Sequence, residues 1–218
     1  MNGDVGAYQR LENSLRAAGF EMAKDAEGHS ASWRWRGGSA IPLIVEFFCP
    51  TGPGREAGAL FRPGGVVGGR LSAMALSAGR LIDLDVVPVE VAVDLPGGGG
   101  ATRHVISVAG PAAYLASKAD ALRRRSKNKD AYDVVWLAEA WPGGQPALAD
   151  VIRKSRVASE PDFRAALDVL REEFRSIDAA GAVKYARFLA DDRHDPAFFA
   201  QKAVGAVGAL LEALDLAR

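Results

Sequence analysis

The sequence predicts an α+β protein whose first half holds a mixed or antiparallel sheet with flanking helices and whose second half is a helical bundle. Between residues 32 and 108, several runs alternate apolar and polar side chains or are rich in valine, which is typical of strands. From Pro111 onward, apolar residues recur at helical spacing, and glycine and proline separate the segments. Strands followed by helices indicate two domains, which we place at 1–110 and 111–218.

The first elements are a helix and a strand pair. Leucines at helical spacing predict an amphipathic helix at 7–18, which Gly19 ends, with Phe20 as the apolar contact beyond the cap. Tryptophans alternating with arginines predict a strand at 32–36. A Gly-Gly-Ser turn then leads into an apolar strand at 41–48.

The other elements follow from composition and periodicity. Glycine and proline predict a long loop at 51–69 and a flexible hairpin tip at 97–100. The pattern predicts a short helix at 70–78 and strands at 80–84, 86–94 and 103–108. Proline at the first helical position opens the first of six helices, predicted at 111–125, 130–141, 146–156, 161–175, 179–190 and 196–216.

The length and the charge of the chain limit which functions it can have. The chain has 218 residues, 25% of them charged, with a net charge of zero, which argues against a general nucleic-acid coat. We identify no apolar run that could cross a bilayer and no secretory signal at the start. The single cysteine, Cys49, is interpreted as a packing residue and excludes an internal disulfide. These features predict a cytoplasmic protein without a membrane partner.

Two consecutive helices break their own hydrophobic pattern. Lys118 lies on the leucine stripe of the helix at 111–125, and Asp133 shares a face of the next helix with Trp136 and Leu137. Charged groups on inward faces are costly unless they meet each other or a ligand. We therefore expect the Lys118 ammonium to reach Asp130 or Asp133 on the next helix, either as a structural pair or as part of a site.

Two further features carry charge. Glu46 lies between apolar neighbours on the strand at 41–48, which we expect to be mostly buried; the alternative is a plain pair with an arginine. A basic run lies between the two helices and could hold a phosphate backbone or be a solvated helix end. Its cations are Arg123, Arg124, Arg125, Lys127 and Lys129.

Residues 108–123, followed by Lys129-Asp130-Ala-Tyr-Asp133, resemble the AbiEii/AbiGii-toxin group of nucleotidyltransferases, which belongs to the DNA-polymerase-β-like superfamily. The shared signature is a lysine on one helix and a Lys/Arg-Asp-x-x-Asp motif opening the next. The helix ending at Gly19-Phe20 and the strand of Glu46 resemble the group loosely.

The resemblance implies a nucleotidyltransferase-like fold and transfer of a nucleoside monophosphate from a nucleoside triphosphate. The acceptor is an RNA such as tRNA or a protein, and a cognate antitoxin is an implied partner. Lys118 matches the lysine that steadies the triphosphate, and Asp130 and Asp133 match the helical acidic motif. Glu46 matches the third catalytic carboxylate, a ligand of the two Mg²⁺ ions that the group uses. Because these four polar side chains all lie on otherwise apolar faces, we expect Glu46 to face the same cleft as Lys118.

The sequence departs from the group in one respect. The Gly-Ser turn and Asp-x-Asp strand that should precede the first helix are not found there, where Asp4 is the only carboxylate. Asp83-Leu84-Asp85 comes after Glu46 and therefore in the wrong order. Three hypotheses follow: an enzyme whose missing motif lies upstream, a non-catalytic relative that binds nucleotide, RNA or a partner, and a helical module whose lysine–aspartate pair is structural.

Overall fold

The computed structural model describes residues 5–24, 28–38, 41–62, 71–95, 98–190 and 195–215. The chain forms two compact units, Met1–Arg80 and Leu81–Arg218. The division falls before the long strand pair that we placed in the first domain. The α+β class and the helical C-terminal region are confirmed. Ser39 of the predicted turn, the predicted loop beyond residue 62 and Asp4 lie outside the described residues.

The described residues of the first unit form a long N-terminal helix and two small three-stranded sheets. One sheet is antiparallel in the order β1-β2-β3; in the other, β6 lies between β4, to which it is parallel, and β5, to which it is antiparallel. The elements are α1 (Val5–Ala17), β1 (Glu21–Lys24), β2 (Ser30–Gly37), β3 (Leu43–Glu46), β4 (Phe48–Pro50), β5 (Leu60–Phe61) and β6 (Ala73–Leu76).

The end of α1 follows the prediction. Gly19 has a φ of 79°, in the left-handed region that glycine adopts at low cost. Its N–H donates to the Arg16 carbonyl at 3.0 Å, and the Phe20 N–H donates to the Leu15 carbonyl at 2.9 Å. These are the two hydrogen bonds of a Schellman motif, which satisfies carbonyls that the helix would otherwise leave unpaired.

Two predictions in this unit are wrong. The described part of the predicted helix at 70–78, residues 71–78, does not form a helix, because its centre is the strand β6. The segment 80–84 is not a strand but begins within the short helix α2 (Gly79–Ile82). The Met74 N–H donates to the Phe47 carbonyl and the Ala75 N–H to the Ala59 carbonyl, both at 2.9 Å. Hydrogen bonds on both sides of β6 override the helix propensity of its alanine, methionine and leucine.

In the described part of the second unit, the end of α2 leads into a long hairpin, which six helices follow. The six predicted helices all form, with bounds that differ by two residues or fewer. The elements are β7 (Val86–Asp94), β8 (Ala101–Ala109), α3 (Pro111–Arg124), α4 (Lys129–Ala140), α5 (Gly144–Lys154), a 3-10 turn (Arg156–Ser159), α6 (Pro161–Glu173), α7 (Ala180–Leu189) and α8 (Pro196–Asp215).

Helix α3 is held at both ends by residues distant in sequence. At its start, the Asp85 carboxylate accepts from the Ala113 N–H at 3.0 Å and from the Ser155 hydroxyl at 2.9 Å. At its end, the Lys184 ammonium donates to the Leu122 carbonyl at 2.8 Å. An anion at the N-terminus and a cation at the C-terminus both suit the helix dipole. These contacts fix where α3 presents its side chains.

Helix α8 corrects one expectation. Among the described residues it is long and apolar enough to cross a membrane, judged by length and composition alone. The core helix of a soluble protein passes the same test, and α8 buries Ala203, Val207 and Leu210 within its unit. The finding is therefore weak evidence for a membrane span.

The junction before α3 yields a stability prediction. A Cβ at Gly110 would lie 2.5 Å from both oxygens of Asp85. Gly110→Ala must therefore displace the carboxylate that caps α3, and we expect a loss of about 1–2 kcal/mol in the free energy of unfolding, measured by urea denaturation.

Gly205 supplies the matched control. It lies within α8 with nothing within 4 Å of an added Cβ. We expect Gly205→Ala to stabilise the protein by about 0.5–1 kcal/mol, because alanine is the better helix former. Equal effects of the two substitutions would contradict the steric explanation for Gly110.

Candidate functional site

Lys118 meets both acidic residues of the motif on α4. Its ammonium lies 2.7 Å from Asp133 Oδ2 and 3.3 Å from Asp130 Oδ1. Both aspartates are buried, whereas the Lys118 side chain keeps 20% of its surface exposed. The expectation that Lys118 reaches this motif is confirmed. The geometry allows a structural pair and a ligand site equally, because the ammonium touches both carboxylates and solvent.

Each carboxylate also has a second cation. Arg125 donates through Nε to Asp130 Oδ2 at 2.9 Å and through its terminal nitrogen to Oδ1 at 3.1 Å. Lys129 donates to the two oxygens of Asp133 at 2.6 and 2.8 Å. Two acids buried on one helix face are therefore matched by three cations. We call Lys118, Arg125, Lys129, Asp130 and Asp133 the Lys118 cluster. Arg125 lies in the connection between the two helices and Lys129 at the start of α4, so the connection forms part of this cluster.

The contact between Lys118 and Asp133 keeps both of these side chains charged. Burial alone would lower the pKa of Lys118, but the hydrogen bond and the charge of Asp133 outweigh it, and the pKa is raised. Burial would likewise raise the pKa of Asp133, but hydrogen bonds from Lys118 and Lys129 outweigh it and hold the pKa below its usual value. At neutral pH the lysine is an ammonium and the aspartate a carboxylate.

Tyr114 borders the Lys118 cluster and was not predicted. The Lys118 ammonium lies 5.5 Å from the centre of its ring, within the range of a cation–π contact. Burial and then the charge of Asp133 raise the pKa of Tyr114, so its hydroxyl stays protonated. The sequence spacing could have indicated this contact, since a residue four positions before Lys118 lies on the same helix face.

The basic run is largely engaged in ion pairs. Arg123 and Arg124 lie 3.7 and 2.7 Å from Asp120. Residues 118–133 nevertheless hold six cations against three carboxylates, so the surface around the cluster remains positive. The alternatives of phosphate binding and a helix end neutralised by its own acids therefore both stay open for Arg123, Arg124, Arg125, Lys127 and Lys129.

Glu46 is not on a buried strand, contrary to the prediction. The segment 41–48 splits into β3 and β4, which belong to different sheets, and Leu43 and Ile44 on the edge strand β3 are exposed. Glu46 accepts from Arg34 Nε at 2.6 Å, as the alternative interpretation expected. Glu46 belongs to the first unit and Lys118 to the second. Their shared cleft stays a prediction.

Two other residues differ from expectation. Trp136 does not share the inward face of α4 with Asp133, because its side chain is 53% exposed, whereas Leu137 is buried as expected. Asp85, the second acid of Asp83-Leu84-Asp85, holds the start of α3 through Ala113 and Ser155. That contact gives Asp85 a structural role.

The described residues contain no group of three or more histidine, cysteine, aspartate or glutamate side chains that could hold a metal ion. Asp130 and Asp133 are already neutralised by cations, and Glu46 is paired with Arg34. This donor set does not fit a two-metal centre, which needs several carboxylates free to face the ions.

The pKa directions predict how stability depends on pH. The folded pKa of Asp133 lies below that of the unfolded chain, about 3.9. Its stabilisation is complete above that pH and is lost as the pH falls through the lowered folded value. The stabilisation from Lys118 is complete below about pH 10.4, its unfolded pKa, and is lost as the pH rises through the raised folded value.

Urea denaturation across a pH series tests this with Asp133→Asn. We expect the variant to be less stable by about 1–2 kcal/mol near neutrality, and the difference to vanish in acid. Asp168→Asn, in an exposed pair with Arg171, is the matched control and should show little difference at any pH. A difference for Asp133→Asn that persists below the lowered pKa would contradict the assignment.

A comparison with known protein families finds a match over much of the chain. The family described as nucleotidyl transferase AbiEii toxin, type IV toxin–antitoxin system, matches residues 73–204. This range includes α3, α4 and the whole Lys118 cluster, and it excludes Glu46. No curated protein and no solved structure matches the chain. The family match covers more than half of the sequence, and the chain therefore belongs to the AbiEii family of nucleotidyl transferase toxins.

Proposed function

We propose that the Lys118 cluster binds the phosphates of a nucleoside triphosphate and that the protein acts as a nucleotidyltransferase-type toxin. One observation carries the proposal: neither aspartate depends on Lys118 for its neutralisation. Asp130 keeps Arg125 and Asp133 keeps Lys129 if Lys118 is removed. If Lys118 served only to compensate the charges of the two buried acids, Arg125 and Lys129 would not also be needed to pair with them.

The ammonium also has capacity for a ligand. A lysine carries three N–H donors, and the two aspartates account for two of them. The third donor and the 20% of the Lys118 side chain that is exposed remain available to a phosphate oxygen. The surrounding excess of cations would raise the local concentration of a polyanion. Lys118 would then hold the triphosphate while Asp130 and Asp133 fix the position of its ammonium.

The finer parts of the proposal rest on the family. We propose an RNA such as tRNA, or a protein, as the acceptor of the nucleoside monophosphate. A cognate antitoxin follows from the type IV toxin–antitoxin family, and a cytoplasmic location suits such a pair. The Mg²⁺ that the resemblance implies does not fit the donor set described above. Metal-dependent transfer would need further carboxylates beside Glu46.

A second candidate function is a non-catalytic relative that binds a nucleotide, RNA or a partner protein. It is favoured by the lack of a metal-holding group among the described residues. The two candidates share the phosphate site and differ in turnover. Transfer of a labelled nucleotide to tRNA or protein supports the enzyme, and nucleotide binding without transfer supports the relative.

Lys118→Met tests the shared site. Methionine keeps much of the stem's volume, and both aspartates keep a cation, so we expect a loss of stability of about 1 kcal/mol or less. We expect the rise in melting temperature that a nucleoside triphosphate causes in the wild type to disappear. Lys202→Met is the matched control, since Lys202 pairs with Glu139 outside the cluster. The control should keep the ligand-dependent rise.

The structural alternative has a different signature. If Lys118 served only to neutralise Asp133, Lys118→Met would be strongly destabilising, and the double variant Lys118→Met, Asp133→Leu would recover most of the loss. Such a result, with a melting temperature indifferent to nucleotide in the wild type, would overturn the proposal.

A further inference from the structure

The hairpin of β7 and β8 has one apolar face and one polar face. Side chains alternate between the two faces along a strand, and residues paired across the ladder share a face. The polar face carries Glu90 and Arg103, whose side chains lie 2.6 Å apart in an ion pair. We call the other face the valine face, and its members are Val87, Val89, Val91 and Val93 of β7 with Thr102, His104, Ile106 and Val108 of β8.

The valine face is open to solvent. Five of its apolar residues are 36–48% exposed, namely Val87, Val89, Val93, Ile106 and Val108. Single exposed apolar residues are ordinary, but several on one face form a continuous patch, which marks an interaction surface. In the described part of the chain, β7 and β8 pair only with each other. A two-stranded hairpin is at best marginally stable in water, so packing of its apolar face would stabilise it.

An added strand would not cover this face. The Gly110 N–H donates to the Asp85 carbonyl at 2.7 Å, so the pair next to the ladder is hydrogen-bonded. Because hydrogen-bonded and non-hydrogen-bonded pairs alternate, Pro88 and Ser107 form a non-hydrogen-bonded pair, and their nitrogens point to the outer edges. Proline has no N–H for a strand beside β7, which leaves only the edge of β8. A strand added there would extend the sheet and leave the valine face exposed.

The distribution of charge favours a second copy of this chain as the occupant. The valine face contains no carboxylate, lysine or arginine, and the charged residues of the hairpin, Glu90, Asp94 and Arg103, lie on the opposite face. Two copies can therefore bring their valine faces together without bringing like charges together. The net charge of the chain is zero, so no long-range repulsion opposes this association. A different protein is usually selected by complementary charges, which this face does not offer.

We propose that the valine faces of two copies of this chain pack against each other in a two-fold symmetric dimer. Each copy contributes the same surface to such an interface, so an uncharged apolar face is its own complement. Two nine-residue strands form a face of about 30 by 10 Å, which is small for a stable interface. We therefore expect a weak dimer that dissociates in the micromolar range. The inference is independent of the proposed function, since no nucleotide is involved.

Sedimentation equilibrium of the full chain, at about 1–200 μM, tests the inference. Ile106→Lys places an ammonium in the valine face, and we expect it to raise the dissociation constant of the dimer at least tenfold. Val105→Lys is the matched control, because Val105 is the next residue, is 68% exposed and lies on the polar face opposite Glu90. The control should dimerise within about threefold of the wild type.

Two further variants separate an effect on the interface from an effect on folding or on the edge. Ile106→Thr keeps a β-branched side chain that suits a strand, and we expect a smaller rise in the dissociation constant, about threefold or more. Ser107→Pro removes an N–H that points outward, so it blocks pairing at the edge of β8 and should leave the dimer unchanged. Melting curves report whether each variant is folded, and a reducing agent keeps Cys49 from linking two copies.

Four outcomes would overturn the inference. They are a wild type that stays monomeric throughout the concentration range, Ile106→Lys and Ile106→Thr that both dimerise as the wild type does, equal loss of dimer in Val105→Lys, and loss of dimer in Ser107→Pro. The first would leave the valine face to a different protein, and the last would indicate that strands pair edge to edge. Raising the salt concentration from about 0.1 to 0.5 M should not weaken the dimer, since its contacts are apolar.

Discussion

Two buried carboxylates on one helix face constrain how α3 and α4 meet. Asp130 and Asp133 are buried at the start of α4, and Lys118, Arg125 and Lys129 compensate their charges. Burying an acid is unfavourable unless it is paired and hydrogen-bonded. The cations come from α3, from the connection and from α4 itself, so this requirement ties together the two helices and the path between them.

The cluster depends on contacts that lie far from it in sequence. Asp85 precedes β7, yet it holds the start of α3, and Lys184 of α7 binds the carbonyl of Leu122 at its end. Lys118 is thus positioned by a helix anchored at both ends. Such anchoring suits a residue that must keep its ammonium in one place whether its role is structural or ligand-binding.

The two units contribute differently to the functional interpretation. The Lys118 cluster lies in the second unit and inside the range that matches the AbiEii family. Glu46 lies in the first unit, on an edge strand, where an arginine already binds it. The proposed phosphate site therefore lies in the second unit, as does most of the family match, and the catalytic role proposed for Glu46 rests on resemblance alone.

The sequence by itself determined the six C-terminal helices and the expectation that Lys118 meets Asp130 or Asp133. Both depend on local spacing, which helical periodicity and the proline at the start of α3 reveal. Only the tertiary structure decided that β6 is a strand, because its partners Phe47 and Ala59 lie far from it in sequence. It also decided that Arg125 shares Asp130 with Lys118. This pairing depends on the path of the connection between the two helices, which helical periodicity does not predict.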